Sequence, residues 1–280
     1  MTNPTRHAIL CPRCRRLISA DEHLCPHCGL AKPASPFKNN KIARSLFFEP
    51  QIFKVLMWVN IAMFVVSILL NPRTIRLDLN PLSFLAPDSL SLMRLGATGT
   101  IPIDQMGRWW TLVSANYLHG GILHIFFNLM ALNQIAPLVQ REFGRNRFII
   151  IYTIGGIGGF YVSYLAGVAF TIGASAALCA LLGAAVYYGK SRGGIYGQAI
   201  YRQIGGWALA VLAFGLVIPG INNWGHGGGF IAGALLGMVL SYNEKRPESR
   251  VLGLLAALCI GLTLLALIWA LVTAVYYRFV

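Results

Sequence analysis

The stretch Ile172-Gly173-Ala174-Ser175-Ala176-Ala177 sets one hydroxyl among small residues at the start of an apolar run that continues to Tyr188. Thr171–Tyr188 is long enough to enter or cross about 30 Å of hydrocarbon as a helix, and its small residues let a neighbouring backbone come close. Counted from Thr171, Ser175 lies about 6 Å inside this span at 1.5 Å per residue. A lone serine there ordinarily returns its hydroxyl to its own helix backbone. It becomes a candidate nucleophile when other spans bring polar groups to the same depth.

Outward from this stretch, similar runs recur. The 280-residue chain is 56% hydrophobic and 11% charged, with a mean hydropathy of +0.62, too little polar surface for a water-soluble domain of its size. Apolar runs at Ile52–Leu70, Leu118–Val139, Phe148–Val168, Thr171–Tyr188, Ile204–Ile218, Trp224–Tyr242 and Val251–Tyr276 predict seven transmembrane helices, the fifth being short. The fold class expected is an all-α polytopic membrane protein carrying a small N-terminal module. Its expected divisions are a module at 1–32, a basic linker at 33–51, a six-helix core at 52–242, and a loop with a seventh helix at 243–280. The segment Asn71–Asn116 is too long for a simple link, and Leu82, Phe84, Leu85, Trp109 and Trp110 predict a structured element at the membrane interface.

The formal charge of +14 could suggest nucleic acid, but its placement argues otherwise. With the N-terminus in the cytoplasm, 18 of the 23 Lys and Arg residues fall on that side, and only Arg73, Arg76, Arg94, Arg108 and Arg278 face the other. This is the positive-inside pattern, so the charge reports topology and the expected surroundings are a lipid bilayer, with no nucleic-acid partner. The polar N-terminus shows no signal peptide, which makes the first apolar run a retained span. A prokaryotic plasma (inner) membrane is the expected host.

Four of the six cysteines form two Cys-x-x-Cys pairs, Cys11/Cys14 and Cys25/Cys28, separated by ten residues. Each pair can turn two thiolates toward one tetrahedral Zn²⁺, and a cytoplasmic, reducing location favours metal over disulfides. The pattern resembles a short zinc ribbon whose structural Zn²⁺ would supply most of the folding free energy of so small a module. Four protein ligands close the site, so its role would be structural, with a protein partner as one use. His23 and His27 read as surface histidines.

Three spans carry ionisable or polar groups toward the same membrane face. The second holds His119, His124 and Asn128, of which His124 and Asn128 share a helical face at i and i+4. The fourth opens at Ser175, and the sixth begins with His226 among Gly225, Gly227, Gly228 and Gly229. Scattered core polar residues would not converge on one depth. Small-residue packing alone explains Gly233-x-x-x-Gly237, but not three glycines beside His226. Polar groups confined to one half of the membrane argue against a transport path, which needs them along its whole length.

The combination His119-x-x-x-x-His124-x-x-x-Asn128, Gly173-x-Ser175 and Gly225-His226-x-Gly228-Gly229, in this order over Ile52–Tyr242, resembles the rhomboid family of intramembrane serine proteases. The resemblance implies a six-helix core plus a seventh C-terminal helix, with no cofactor for catalysis. It implies Ser175 as nucleophile, His226 as general base, and an oxyanion hole of His124, Asn128 and the Ser175 backbone N–H. His119 and Gly173 would support the site, and the substrates would be transmembrane proteins cut near the outer face. Three departures bear on activity: Ala176 where the family often has Gly, Cys179 where it often has an aromatic stacked on the catalytic histidine, and Trp110-Thr111 in place of Trp-Arg. A rhomboid-like protein that binds membrane helices without cutting is the competing expectation.

Overall fold

The computed structural model describes residues 8–11, 17–27, 29–36, 52–74, 84–218 and 220–279. The chain divides into two compact units, Met1–Val55 and Leu56–Val280. In the first, strands β1 (Ala8–Leu10) and β2 (Leu17–Ser19) pair antiparallel with Ile9 opposite Ile18, and Leu24 bridges Ala31. Cys11, Ile18 and Cys25 are buried together, with Ile9 and Leu30 packed against them. Five side chains cannot offset the entropy of ordering such a segment, which leaves room for a further cross-link.

The helices are α1 (Ile52–Leu69), α2 (Ser89–Arg94), α3 (Thr111–Ser114), α4 (Ile122–Phe143), α5 (Arg145–Leu165), α6 (Ser175–Arg192), α7 (Gly194–Val217), α8 (Asn223–Leu240) and α9 (Arg250–Phe279). Among the described residues, α1, α4, α5, α7 and α9 are long and apolar enough to cross a membrane. The remaining two long helices, α6 and α8, are the ones that carry Ser175 and His226. Every residue from Ala176 to Ala185 of α6 is buried, because α4, α5, α7 and α8 all pack on it. A helix sheathed by protein needs no apolar coat of its own.

Several expected boundaries shift. α4 starts at Ile122 and not at Leu118, since Gly120-Gly121 interrupts the run and Gly121 is extended, so His119 precedes the helix. α6 starts at Ser175 itself, so Ser175 is its first residue and not one turn inside. Thr171 instead pairs with Thr98 in an antiparallel bridge. α7 starts at Gly194, ten residues before the expected Ile204, because Gln198, Arg202 and Gln203 masked a helix of 24 residues.

The core lies where α5, α6 and α8 meet. A Cβ on Gly233 would fall on the Ala180 carbonyl, one on Gly229 on the Ala176 carbonyl, and one on Gly183 on the Phe230 carbonyl. Backbone therefore touches backbone along the α6–α8 seam, which is the packing that small residues permit in lipid. The other face of α8 presents Trp224, Ile231, Leu235 and Val239, all exposed.

Beside the Ser175 end, residues 84–117 form a folded strap, as their composition suggested; residues 75–83 of this segment lie outside the described ones. The Asp88 carboxylate caps α2 by accepting from the Leu90 and Ser91 amides, both at 3.0 Å, and from the Ser91 hydroxyl at 2.6 Å. Partial burial opposes its charge, but the hydrogen bonds, led by Ser91, outweigh burial and hold its carboxyl below the usual carboxylate range. The strap then grips the segment that leads into α6. Thr98 and Thr171 exchange backbone hydrogen bonds at 3.0 and 2.7 Å, Thr100 donates to Val168 at 2.9 Å, and Gly173 donates to Ala115 at 2.9 Å.

At the far end of the bundle, Arg147 is only 1% exposed. Its five N–H donors reach the carbonyls of Leu240 (2.9 Å), Phe143 (3.0 Å), Arg246 (2.8 Å) and Pro247 (3.2 Å) and the Asn243 side-chain oxygen (3.0 Å). Glu248 meanwhile accepts from the Asn146 and Arg147 amides at 2.7 and 3.3 Å. One guanidinium thus closes the end of α8 onto the α4–α5 junction.

Candidate active site

Ser175 opens α6 without any side chain capping that helix, and the first intrahelical bond runs from the Leu178 amide to the Ala174 carbonyl at 2.9 Å. The amides of the first turn lie outside the helical ladder, and a helix start of this kind concentrates partial positive charge beside the Ser175 hydroxyl. Just before it, Gly173 adopts φ +129°, a conformation that side chains resist. A Cβ at Gly173 would stand 2.8 Å from His124 Nε2 and 3.5 Å from Ser175 Oγ. The glycine therefore both makes the turn and leaves the space in which His124 and Ser175 face one another.

The orientation of His124 follows from its partner. The Gly120 amide donates to His124 Nδ1 at 3.2 Å, so in the neutral ring the proton is assigned to Nε2. Nε2–H is then a donor directed at the space beside Ser175. His119, fully buried, sets its ring edge-to-face against His124 with centroids 5.1 Å apart. Neither ring nitrogen of His119 has a hydrogen-bond partner among the described residues. His119 thus meets His124 through a ring contact and lies outside the helix that carries it.

Asn128 stands one turn below His124 and is buried. Its Nδ2 donates to the His124 carbonyl at 2.8 Å, which leaves the second N–H of that amide for another acceptor. His226 is 7% exposed, lies in the first turn of α8 and is within electrostatic reach of His124. Its Nδ1 has no hydrogen-bond partner, and Ser175 and His226 make no direct hydrogen bond among the described residues. The structure thus gathers Gly173, Ser175, His124 and His226 at one end of the bundle, with Asn128 and His119 behind them.

The three departures noted in the sequence each have a local account. The Ala176 methyl points toward α5, where Gly159 leaves it room, and Ala176 joins a buried cluster with Ile103, Leu112, Ala115 and Phe160. Its side chain therefore does not obstruct the α6–α8 seam. Cys179 is buried one turn after Ser175, and among the described residues no aromatic ring stacks on His226. The Thr111 hydroxyl donates to the Arg108 carbonyl at 2.6 Å and shares a hydrogen bond with the Thr98 hydroxyl at 3.0 Å, which ties it to the strap.

Sequence reasoning passed over Asn222, Ser163 and Ala115. Asn222 caps α8 by accepting from the Gly225 amide at 3.0 Å. Its signal was present, since an Asn just before an apolar helical run is a helix-start signature. Ser163 and Ala115 carried none, because their roles depend on contacts distant in sequence.

In the N-terminal unit, Cys11 and Cys25 are both buried. The Cys25 amide donates to the Leu30 carbonyl and the Gly29 amide to the Cys25 carbonyl, each at 2.9 Å, closing a tight turn around Cys25. Cys14 and Cys28 lie outside the described residues, and among the described ones no group of three or more His, Cys, Asp or Glu gathers to hold a metal. The tight turn around Cys25 and the burial of both thiols are what a structural Zn²⁺ bound at Cys11 and Cys25 would require.

Comparison with known proteins places these features. Residues 106–243, which contain every candidate of the membrane site, match a family model described as Rhomboid domain. RHOMBOID-like protein 4 of Arabidopsis thaliana is 36% identical over 163 residues, covering 58% of this chain and 41% of that protein. Rhomboid protease GluP of Bacillus subtilis (strain 168) is 35% identical over 176 residues, covering 61% and 34%. RHOMBOID-like protein 1 of Arabidopsis thaliana is 31% identical over 212 residues, covering 68% and 53%. The chain spans from about a third to about half the length of these relatives. With its apolar helices and this match, the chain is an integral, multi-pass membrane protein with a stretch, residues 106–243, that is similar to the Rhomboid domain.

Proposed function

We propose that the protein is an intramembrane serine endopeptidase that cleaves transmembrane-helix substrates near the outer membrane face through Ser175 and His226. The observation that carries this reading is the meeting at Gly173 of the Ser175 hydroxyl and the His124 Nε2–H, with His226 alongside. A relative named as a protease, Rhomboid protease GluP, supports it.

In the proposed reaction Ser175 Oγ attacks the scissile carbonyl and His226 Nε2 takes its proton. The bond to the amide nitrogen then breaks, and His226 returns the proton to the departing amine, leaving an ester on Ser175. Water, deprotonated by His226, hydrolyses that ester. His124 Nε2–H, the second N–H of Asn128 and the Ser175 backbone N–H are the donors offered to the oxyanion; one such donor is worth about 3–4 kcal/mol in a water-poor site. The unpartnered His226 Nδ1 accords with a dyad, in which no carboxylate holds the imidazole. The substrate helix has to unwind locally, because a helix shields its own carbonyls.

The competing reading, a helix-binding protein that does not cut, is favoured by the lack of a direct Ser175–His226 hydrogen bond. Catalytic hydrogen bonds are often loose before substrate arrives and tighten in the complex. A fluorophosphonate separates the two readings. The purified protein is expected to be labelled on Ser175 and to cleave a generic transmembrane-helix substrate in liposomes; a folded protein that does neither would be a binder.

We further propose that the N-terminal unit is cytoplasmic, on the strength of the positive-inside charge distribution. The relatives named above come from a plant and a bacterium, so the prokaryotic plasma membrane stays an expectation from the sequence. The unit would hold one structural Zn²⁺ through Cys11, Cys14, Cys25 and Cys28 and offer a protein-docking module. The full-length protein is expected to contain about one Zn²⁺ per chain by elemental analysis, and Cys25→Ser to lose it. Metal-free preparations in which this unit stays folded would refute the assignment.

A further inference from the structure

The seam between α6 and α8 sets how near the two helices lie, but glycine-on-carbonyl contacts permit sliding along their length. Something directional has to fix where α8 begins relative to Ser175. Asn222 meets that need with its backbone carbonyl and both ends of its side-chain amide. Its backbone carbonyl accepts from the His226 amide at 3.1 Å, and its Oδ1 accepts from the Gly225 amide at 3.0 Å. Its Nδ2 donates to Ser163 Oγ at 2.6 Å and to Thr171 Oγ1 at 2.9 Å. The partners determine the amide orientation, since a flipped side chain would set two donors against each other at Gly225.

Each partner belongs to a different part of the site. Ser163 is fully buried on α5, and Gly225 and His226 form the first turn of α8. Thr171 precedes Ser175 by four residues and is held in turn by Thr98 of the strap. A helix cap needs only the side-chain oxygen, and Ser, Thr or Asp would supply it as well. The two N–H bonds are surplus to capping, and they link the start of α8 to α5 and to the segment entering Ser175.

We propose that Asn222 is a positioning residue that sets the His226 ring relative to Ser175, by tying the start of α8 to Ser163 and Thr171. The proposal rests on the protease reading above. Because an error of about 1 Å in a reacting geometry costs about 100-fold, loosening this tie is expected to slow chemistry without unfolding the protein.

The test uses the purified full-length protein with Asn222→Ser, which keeps a capping oxygen but cannot reach Ser163 and Thr171, and with Asn222→Asp. The carboxylate of the latter caps Gly225 and can accept from both hydroxyls, which are free to rotate and donate. For Asn222→Ser, fluorophosphonate labelling of Ser175 and kcat should fall together by about 10–100-fold. KM should stay within about twofold and thermal unfolding should stay near that of the wild type. Asn222→Asp should recover most of the labelling rate. Wild-type labelling in Asn222→Ser would reduce Asn222 to a helix cap, and a slow Asn222→Ser with an equally slow Asn222→Asp would remove the hydroxyl tie. A loss of labelling matched by a loss of folded protein would make the role merely structural. A wild type that is itself neither labelled nor active would overturn the protease reading and this proposal with it, a result set apart by appearing before any substitution.

Discussion

Ser175→Ala is expected to abolish cleavage of a transmembrane-helix substrate, and His226→Ala to do so nearly as completely, with both proteins still folded. Ser175 opens α6 and its hydroxyl makes no hydrogen bond among the described residues, so removing one oxygen disturbs little packing. The His226 ring is enclosed, but its Nδ1 has no partner, so its loss breaks no polar network. The catalytic cost is of a different order. A nucleophile and its base act as one unit, and removing either costs about 10⁴-fold or more, with the double mutant scarcely worse than the single ones. Liposome cleavage assays on the two single mutants and the double mutant read this directly. Activity in Ser175→Ala above about one per cent of wild type would move the nucleophile elsewhere; additive losses in the double mutant would mean that the two groups do not act together.

Arg147→Met should be the most destabilising single substitution at the far end of the bundle. It removes a fully buried guanidinium and leaves four carbonyls and the Asn243 oxygen without donors. Hydrogen bonds to charged groups are worth about 1.5–3 kcal/mol each, but they share one side chain and are not additive, so about 3–5 kcal/mol in total is expected. Arg147→Lys should recover little, because one ammonium cannot span acceptors that a planar fork of five donors reaches at once. The measurement is thermal unfolding in detergent, where both variants should melt well below wild type. A melting temperature for Arg147→Met within one or two degrees of wild type would show that water replaces the guanidinium. Ser175 labelling in the surviving folded fraction should be unchanged, since Arg147 sits at the opposite end of α6 and α8.

The polar residues of the site were legible because lipid makes such groups conspicuous: His124, Asn128, Ser175 and His226 stood out as costly interruptions of apolar runs. Gly173 was legible for the same local reason, as a small residue before the serine. The path of the chain between helices was not. His119 reads as part of a helix until Gly120-Gly121 is seen to break it, and Thr171 reads as the start of a span although it pairs with Thr98 from 73 residues earlier. Hydropathy reports burial in lipid, so it lost the polar first turns of α7, where Gln198, Arg202 and Gln203 lie within a helix. Asn222 escaped because its capping role is local but its ties to Ser163 and Thr171 are not. In the N-terminal unit, two of the four cysteines that carry the motif lie outside the described residues.

The enclosure of α6 bears on how the protein is made. Among the described residues this helix is not one of those long and apolar enough to cross a membrane, and its small-residue face is covered by Gly229 and Gly233 of α8. On the ribosome, Gly233 follows Ala180 by roughly 50 residues, about 3–10 s at 5–20 residues per second. During that interval only α4 and α5, already synthesised, can shelter the newly emerged α6 from lipid or return it to water. Burial of the Ser175-bearing helix would thus follow the order of the chain. A circular permutation that placed α6 ahead of α4 and α5 would keep every contact of the finished fold and lose the shelter under which that helix first enters the membrane.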